Sequence, residues 1–305
     1  MHKPLRVLLS ARFVLRSLAL FLPLALLAAC STPSPSSQQL AQDSLNGSVT
    51  AQYKLGVDYK QGLHVGQDYG MAARMFRLAA VQDYAPAQNA LGKLYESGNG
   101  LPQDYTKAFE WYKKAASQNY APAQYNLGVL YDNGDGVSQN YEQAAYWYQK
   151  GANGGNAAAQ DNLGLDYYNG QGVSQNYSKA AYWFKKSALQ GYADGENSMG
   201  FIYDRGHGVP QNKTKAGIWF LKGAKDGDST AQKNIGLFYE NGIGVPQDYS
   251  KAAYWFKKGA EHGSVGAANN LGVLYDNGYG VSKKPNQSRS LVPQSRQKWR
   301  RHSGI

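Results

Sequence analysis

Residues 87–116 read AQNALGKLYESGNGLPQDYTKAFEWYKKAA, and this stretch decides the fold. Ala87, Leu91, Leu94 and Tyr95 fall at i, i+4, i+7 and i+8, the spacing of one helical face. Gly98 and Gly100 follow, suited to a left-handed helix end and a tight turn. Asp104 then stands where an N-cap belongs, and its side chain can accept from the free N–H groups of a new helix. That second helix places Ala108, Trp111, Tyr112, Ala115 and Ala116 at i, i+3, i+4, i+7 and i+8. Gly92 lies inside the first helix. A mid-helix glycine costs about 1 kcal/mol against alanine, so it predicts a helix–helix contact too close for a Cβ.

Outward from this stretch the pattern recurs every 36 residues. Gly92 has counterparts at Gly56, Gly128, Gly164, Gly200, Gly236 and Gly272, and the tyrosine three places later keeps the same step from Tyr59 to Tyr275. Trp111, Trp147, Trp183, Trp219 and Trp255 obey it as well. The N-cap position reads Asp68, Asp104, Asn140, Asn176, Asn212 and Asp248. Residues 51–282 are therefore six full helix-turn-helix units and the first half of a seventh. One such pair cannot bury both of its faces, so neighbours must stack.

The pattern in Ala123-Gln124-Tyr125-Asn126-Leu127-Gly128, continued by Tyr131, Gly134-Asp135-Gly136-Val137, Tyr141, Ala144 and Trp147-Tyr148, resembles the Sel-one-like repeat (SLR). That family is related to the tetratricopeptide repeat. The resemblance implies an all-α fold, a right-handed α/α superhelical solenoid with a concave surface lined by the first helices. It also implies an adaptor that holds partners together and is not an enzyme. Its cysteine-rich relatives bind or hydrolyse β-lactams and carry a disulfide in each unit. This chain has one cysteine, which leaves that activity an alternative without its framework.

The candidate site is a column on the first helices. Asn126, Asn162, Ser198, Asn234 and Asn270 occupy one repeat position, with Tyr125 beside them. An amide can donate to and accept from an extended peptide backbone at once, and the resemblance to tetratricopeptide clamps implies that this position faces the groove. A second use of the same residues is to bond the neighbouring helix. A lysine column, Lys114, Lys150, Lys186, Lys222 and Lys258, lies near the ends of the second helices, where a cation meets the helix dipole favourably.

Other chemistry finds little support. Five scattered histidines show no metal-ligand spacing. The Gly-x-Gly turns do not continue into a dinucleotide fingerprint, and Asp132-Asn133-Gly134-Asp135-Gly136 puts glycines where a calcium loop needs ligands. No paired carboxylates stand out. No metal and no cofactor are expected.

The ends of the chain differ from the array. Arg12 and Arg16 precede an apolar stretch, Leu18 to Ala29, that is too short to span a bilayer and fits a secretory signal over 1–29. It ends in Leu27-Ala28-Ala29-Cys30, which resembles the bacterial lipobox; the resemblance implies lipidation of Cys30, and Ser31 after it implies retention at the outer membrane, on its periplasmic face. Residues 30–50, rich in Ser, Pro and Gln, are expected to be a flexible tether. After Ser282 the repeat stops, and 283–305 hold seven basic residues, no acid and two prolines, as a disordered basic tail would. The net charge of +11 comes from these two ends, because the body between Cys30 and Ser282 has 21 basic and 21 acidic residues. A neutral body argues against nucleic acid. The expected partners are envelope proteins, the membrane through the lipid anchor, and peptidoglycan as a glycan-binding alternative.

Overall fold

A computed structural model describes residues 35–283; Cys30, the signal segment and all of the basic tail beyond Lys283 lie outside the described residues. Fourteen helices and no strand are found among the described residues. The first, α1, is Pro35–Leu45. The rest alternate. The first helices of the repeats are α2 (Val49–Gln61), α4 (Ala85–Ser97), α6 (Ala121–Asn133), α8 (Ala157–Asn169), α10 (Ala193–Arg205), α12 (Ser229–Asn241) and α14 (Val265–Asn277). The second helices are α3 (Tyr69–Ala80), α5 (Tyr105–Ser117), α7 (Tyr141–Asn153), α9 (Tyr177–Ala188), α11 (Lys213–Lys225) and α13 (Tyr249–Glu261). The fold class is thus the expected all-α solenoid of 36-residue helix-turn-helix repeats.

The chain divides into two compact units. Unit 1 holds the residues up to Ala123 together with Asp135–Ser138, and unit 2 holds Gln124–Gly134 and the chain from Gln139. Within unit 1, α3 packs on α2 and α4, and α5 packs on α4; within unit 2, α7 packs on α8, and α9, α11 and α13 each pack on the first helices before and after them. In unit 2 the first helices α8, α10, α12 and α14 also touch in succession.

The helix ends follow the sequence closely. Asp68, Asp104, Asn140, Asn176, Asn212 and Asp248 each accept from the N–H three residues on, as N-caps do. The first helices close on a left-handed glycine, such as Gly98 (φ 71°) and Gly170 (φ 71°). A glutamine staples each turn: Gln103 Nε2 donates to the Glu96 carbonyl at 2.9 Å and Gln175 Nε2 to that of Tyr168 at 2.9 Å, with Gln67, Gln139, Gln211 and Gln247 doing the same.

The mid-helix glycines receive an aromatic ring. A Cβ on Gly92 would lie 2.6 Å from Cε1 of Tyr112, and one on Gly164 would lie 2.6 Å from Cδ1 of Phe184. Gly56, Gly128, Gly200 and Gly236 meet Phe76, Tyr148, Phe220 and Phe256 in the same way. In five of the six units this ring is the residue after the repeated tryptophan, and it is buried. Each contributes roughly 1.5–3 kcal/mol of apolar burial. A second contact sets the step between repeats. The turn glycine of one repeat rests on the backbone that opens the second helix of the repeat before: a Cβ on Gly172 would collide with the Tyr141 carbonyl, and one on Gly208 with that of Tyr177.

The tether expectation for 30–50 needs correcting. Residues 35–45 are helical, and Leu40, Ala41, Ser44 and Leu45 recur at i, i+1, i+4 and i+5, turned away from solvent. Buried Ser44 lies with its hydroxyl 3.7 Å from the Met75 sulfur, and its carbonyl accepts from Gln52 Nε2 at 3.3 Å. The segment is polar in composition yet covers the open side of α2, so tertiary packing makes it a helix.

Candidate functional site

The glutamine that follows alanine in five of the seven first helices builds an internal chain that sequence reasoning passed over. Gln88 Nε2 donates to the Ala80 carbonyl at 3.1 Å, Gln160 Nε2 to Ala152 at 3.0 Å and Gln232 Nε2 to Ala224 at 3.0 Å. Each of these amides thus bonds a carbonyl near the end of the preceding second helix, and the Ala80 and Ala152 carbonyls also accept from the N–H groups of Asp83 and Gly155. Its oxygen then accepts from the end of the next one: Gln118 Nε2 reaches Gln88 Oε1 at 2.8 Å, Gln190 Nε2 reaches Gln160 Oε1 at 2.8 Å, and His262 Nδ1 meets Gln232 Oε1 at 3.0 Å. The 36-residue recurrence of Gln52, Gln88, Gln124, Gln160 and Gln232 was the available signal. At 196 the chain holds a glutamate, fully buried, and Lys222 Nζ stands 2.7 Å from its Oε1. The same ammonium lies 3.5 Å from the Ala188 carbonyl, the group a glutamine would serve. Burial raises the Glu196 pKa, Lys222 pulls it back, and neighbouring Asp226 raises it further.

The asparagine column lies just outside this chain. Asn126, Asn162, Ser198, Asn234 and Asn270 are all half-buried, one on each first helix from α6 to α14, while α2 and α4 have Lys54 and Ala90 at this position. Asn234 Nδ2 donates to Asn197 Oδ1 of the preceding first helix at 3.0 Å. Asn162 faces the buried Tyr148 hydroxyl, and Ser198 stands beside Asp161, favouring its charged form. Tyr125, half-buried, packs on the Ala144–Tyr148 cluster with its ring 6.1 Å from that of Tyr148. These side chains therefore offer one polar group per repeat while part of their bonding capacity is spent internally.

Buried carboxylates, which the sequence did not single out, lie in the same helices. Asp166 is 7 % exposed and stands where Leu94, Leu130 and Leu274 stand in other repeats; burial, with Asp132 adding to it, pushes its pKa up to about 7. Asp161 is 4 % exposed, and burial likewise pushes it up to about 7, with Asp194 and Asp228 adding to the effect. A carboxylate that loses water without a cation takes its proton back. Burial and then the charge of Asp194 raise the Asp228 pKa, and the same two causes raise that of Tyr192. The expectation of no paired carboxylates is therefore corrected. The signal existed: Asp161 breaks a position held by Asn89, Asn197 and Asn269.

The lysine column packs on rings. Lys114 Nζ lies 4.4 Å from the Trp111 centroid, and Lys150, Lys186 and Lys222 lie 5.2–5.4 Å from Trp147, Trp183 and Trp219. Tyr146, Tyr182 and Tyr254 remain about half exposed, each edge-on to its neighbouring tryptophan. No group of three His, Cys, Asp or Glu among the described residues could hold a metal ion. No helix among them is long and apolar enough to cross a membrane.

Comparison with known proteins agrees with this geometry. The family model described as the Sel1 repeat matches seven times, at 49–84, 85–120, 121–156, 157–192, 193–228, 229–264 and 265–291. The chain is similar to a protective antigen of uropathogenic Escherichia coli that displays an SLR fold, with 37 % identity over 86 % of this chain and a TM-score of 0.71. It spans 56 % of the length of that antigen. It is also similar to a Sel1 repeat protein from Oxalobacter formigenes, with 32 % identity, a TM-score of 0.72, and coverage of 80 % of this chain and 96 % of the other. No curated protein matches the chain.

Proposed function

This chain belongs to the Sel1 repeat family, and from that premise we propose that it is a lipid-anchored adaptor which joins proteins in the bacterial envelope. Sel1 repeat proteins mediate protein–protein interactions, and the fold is an interaction scaffold. The observation that carries the proposal is the division of labour within each repeat. The mid-helix glycines, the rings against them and the internal glutamines are buried and hold the stack, while the caps close the helix ends. The column at 126, 162, 198, 234 and 270 keeps one half-buried polar group in each of the last five first helices. A partner segment laid across that column meets a regular series of donors and acceptors.

Anchoring rests on the sequence. Leu27-Ala28-Ala29-Cys30 follows an apolar stretch of signal length, so the mature chain begins at an acylated Cys30 on the periplasmic face of the outer membrane. Each buried methylene of an acyl chain adds about 0.8 kcal/mol to retention. Labelled fatty acid should enter the wild-type protein and not Cys30→Ala; equal labelling would remove the anchor.

A photo-crosslinking residue at Asn162 or Asn234, in cells of the native bacterium, tests the adaptor role. Recovery of an envelope protein in a stoichiometric cross-link is the expected result. Cross-links to no envelope component from either position would overturn the reading.

A further inference from the structure

Charge in unit 2 is sorted by helix. Its first helices, from residue 124 to 277, carry eight acidic residues and two basic ones. Its second helices α7, α9, α11 and α13 carry eleven basic residues and two acidic ones. A charged partner is steered towards one set and repelled by the other.

The negative set has a focus. Asp194 is exposed in the first turn of α10, and its neighbour Asp228 caps α12 and accepts from the Ala231 N–H. Behind them, in the second turn of α8, lies Asp161, 4 % exposed, with Oδ1 lacking any hydrogen-bond partner. An asparagine fills this position in three other repeats, so the repeat does not require an acid there. Held as a carboxylate, an unmatched oxygen at such depth destabilises the fold, and either a proton or a cation from outside offsets it.

The chemistry of that cation is constrained. These carboxylates do not close on a metal ion. A guanidinium spreads five N–H donors over a rigid plane and can serve separated acceptors that a point charge cannot. Leu165, one turn beyond Asp161 on the same helix face and 42 % exposed, offers apolar surface for the stem of such a side chain. We infer that the first-helix face of unit 2 is a docking surface for an arginine-bearing basic segment of a partner protein, with a guanidinium seated on Asp194 and Asp228 above Asp161. This rests on the adaptor reading and names the partner's chemistry.

The test is a fluorescence-anisotropy titration of the full chain with labelled hexa-arginine, and with hexalysine for comparison. Two double variants remove the same formal charge from opposite faces. D194N/D228N keeps a competent cap at 228, because asparagine caps as well as aspartate; E142Q/E261Q removes both acids of the second helices in unit 2. Saturable binding of hexa-arginine, at least ten-fold tighter than hexalysine, is expected, with a loss of ten-fold or more in D194N/D228N and less than two-fold in E142Q/E261Q. Circular dichroism of both variants should match the wild type. Absence of saturable binding, equal affinity for the two peptides, or equal losses in the two variants would each overturn the inference. The cross-linking experiment keeps the two readings apart: an envelope partner captured by a protein that ignores hexa-arginine sinks only the docking inference, whereas hexa-arginine binding without any captured partner sinks only the adaptor.

Discussion

Phe184 is 2 % exposed and has nowhere to move when a methyl group is placed at Gly164. Gly164→Ala gains about 1 kcal/mol of helix propensity and loses more to overpacking, whose cost is typically about 1–3 kcal/mol. The variant should be less stable in urea by up to about 2 kcal/mol on those combined scales. Gly66, which has nothing within 4 Å of a Cβ, should tolerate alanine within about 0.5 kcal/mol. Asp161 makes a pH prediction. Its carboxyl ionises near 3.9 when unfolded and near 7 when folded, so the native state holds the extra proton. The contribution of Asp161 is then most favourable below about pH 4, falls as pH rises from there to about 7, and stays lower above. Asp161→Asn should be stabilised relative to wild type by up to about 4 kcal/mol at pH 8 and unchanged at pH 4, by urea unfolding at the two values. The opposite ordering would mean that a cation already pairs with it. Glycines and aromatics were legible in the sequence because each needs a neighbour of one shape, and a shape repeats. Asp161, Asp166 and Glu196 were not, since an acidic residue in a string of letters does not say how much water it has lost.

Helices here are fixed at both ends by side chains that recur, and the expected losses are local. Asn176→Ala removes the acceptor that holds the Lys179 N–H at 2.9 Å and should cost about 1 kcal/mol. Asn176→Asp should be nearly neutral, as aspartate caps the equivalent helices at 104 and 248. The join between α10 and α11 behaves differently. Lys222→Ala strands the fully buried Glu196 and should cost about 2 kcal/mol, below the usual range for a buried pair because the lysine is half exposed. Adding Glu196→Gln should return most of that loss, since glutamine is what the other repeats place there. Failure of the second change to rescue the first would show that the ion pair does not replace the amide. At this scale the sequence spoke unevenly. The caps and the left-handed glycines were readable from residue type alone. Helix α1 was not, because PSSQQLAQDSL carries only two leucines and one alanine and owes its order to the neighbour it covers.

Seen at the scale of the whole array, stability in each unit is a sum over adjacent repeats. Helix α14 packs on α13 and α12, and among the described residues no helix follows it. Amides at 267–280 should therefore exchange with deuterium faster than those at 160–240, and equal protection would contradict nearest-neighbour stacking. The opposite end has α1 laid over α2, where buried Ser44 and Gln52 should exchange more slowly than the end of α14. The joint between repeats has a further consequence. At Gly172 and Gly208 the touching surfaces are backbone on both sides, so this contact does not depend on which side chains flank it. Two distant stretches of the gene, such as those encoding residues 127–134 and 271–278, specify the same letters, and unequal crossing-over between them removes or adds whole multiples of 36 codons. Every product of such an exchange presents the same mating surfaces at the scar. Length in this protein is thus a heritable variable that can change in one generation without passing through a misfolded ancestor.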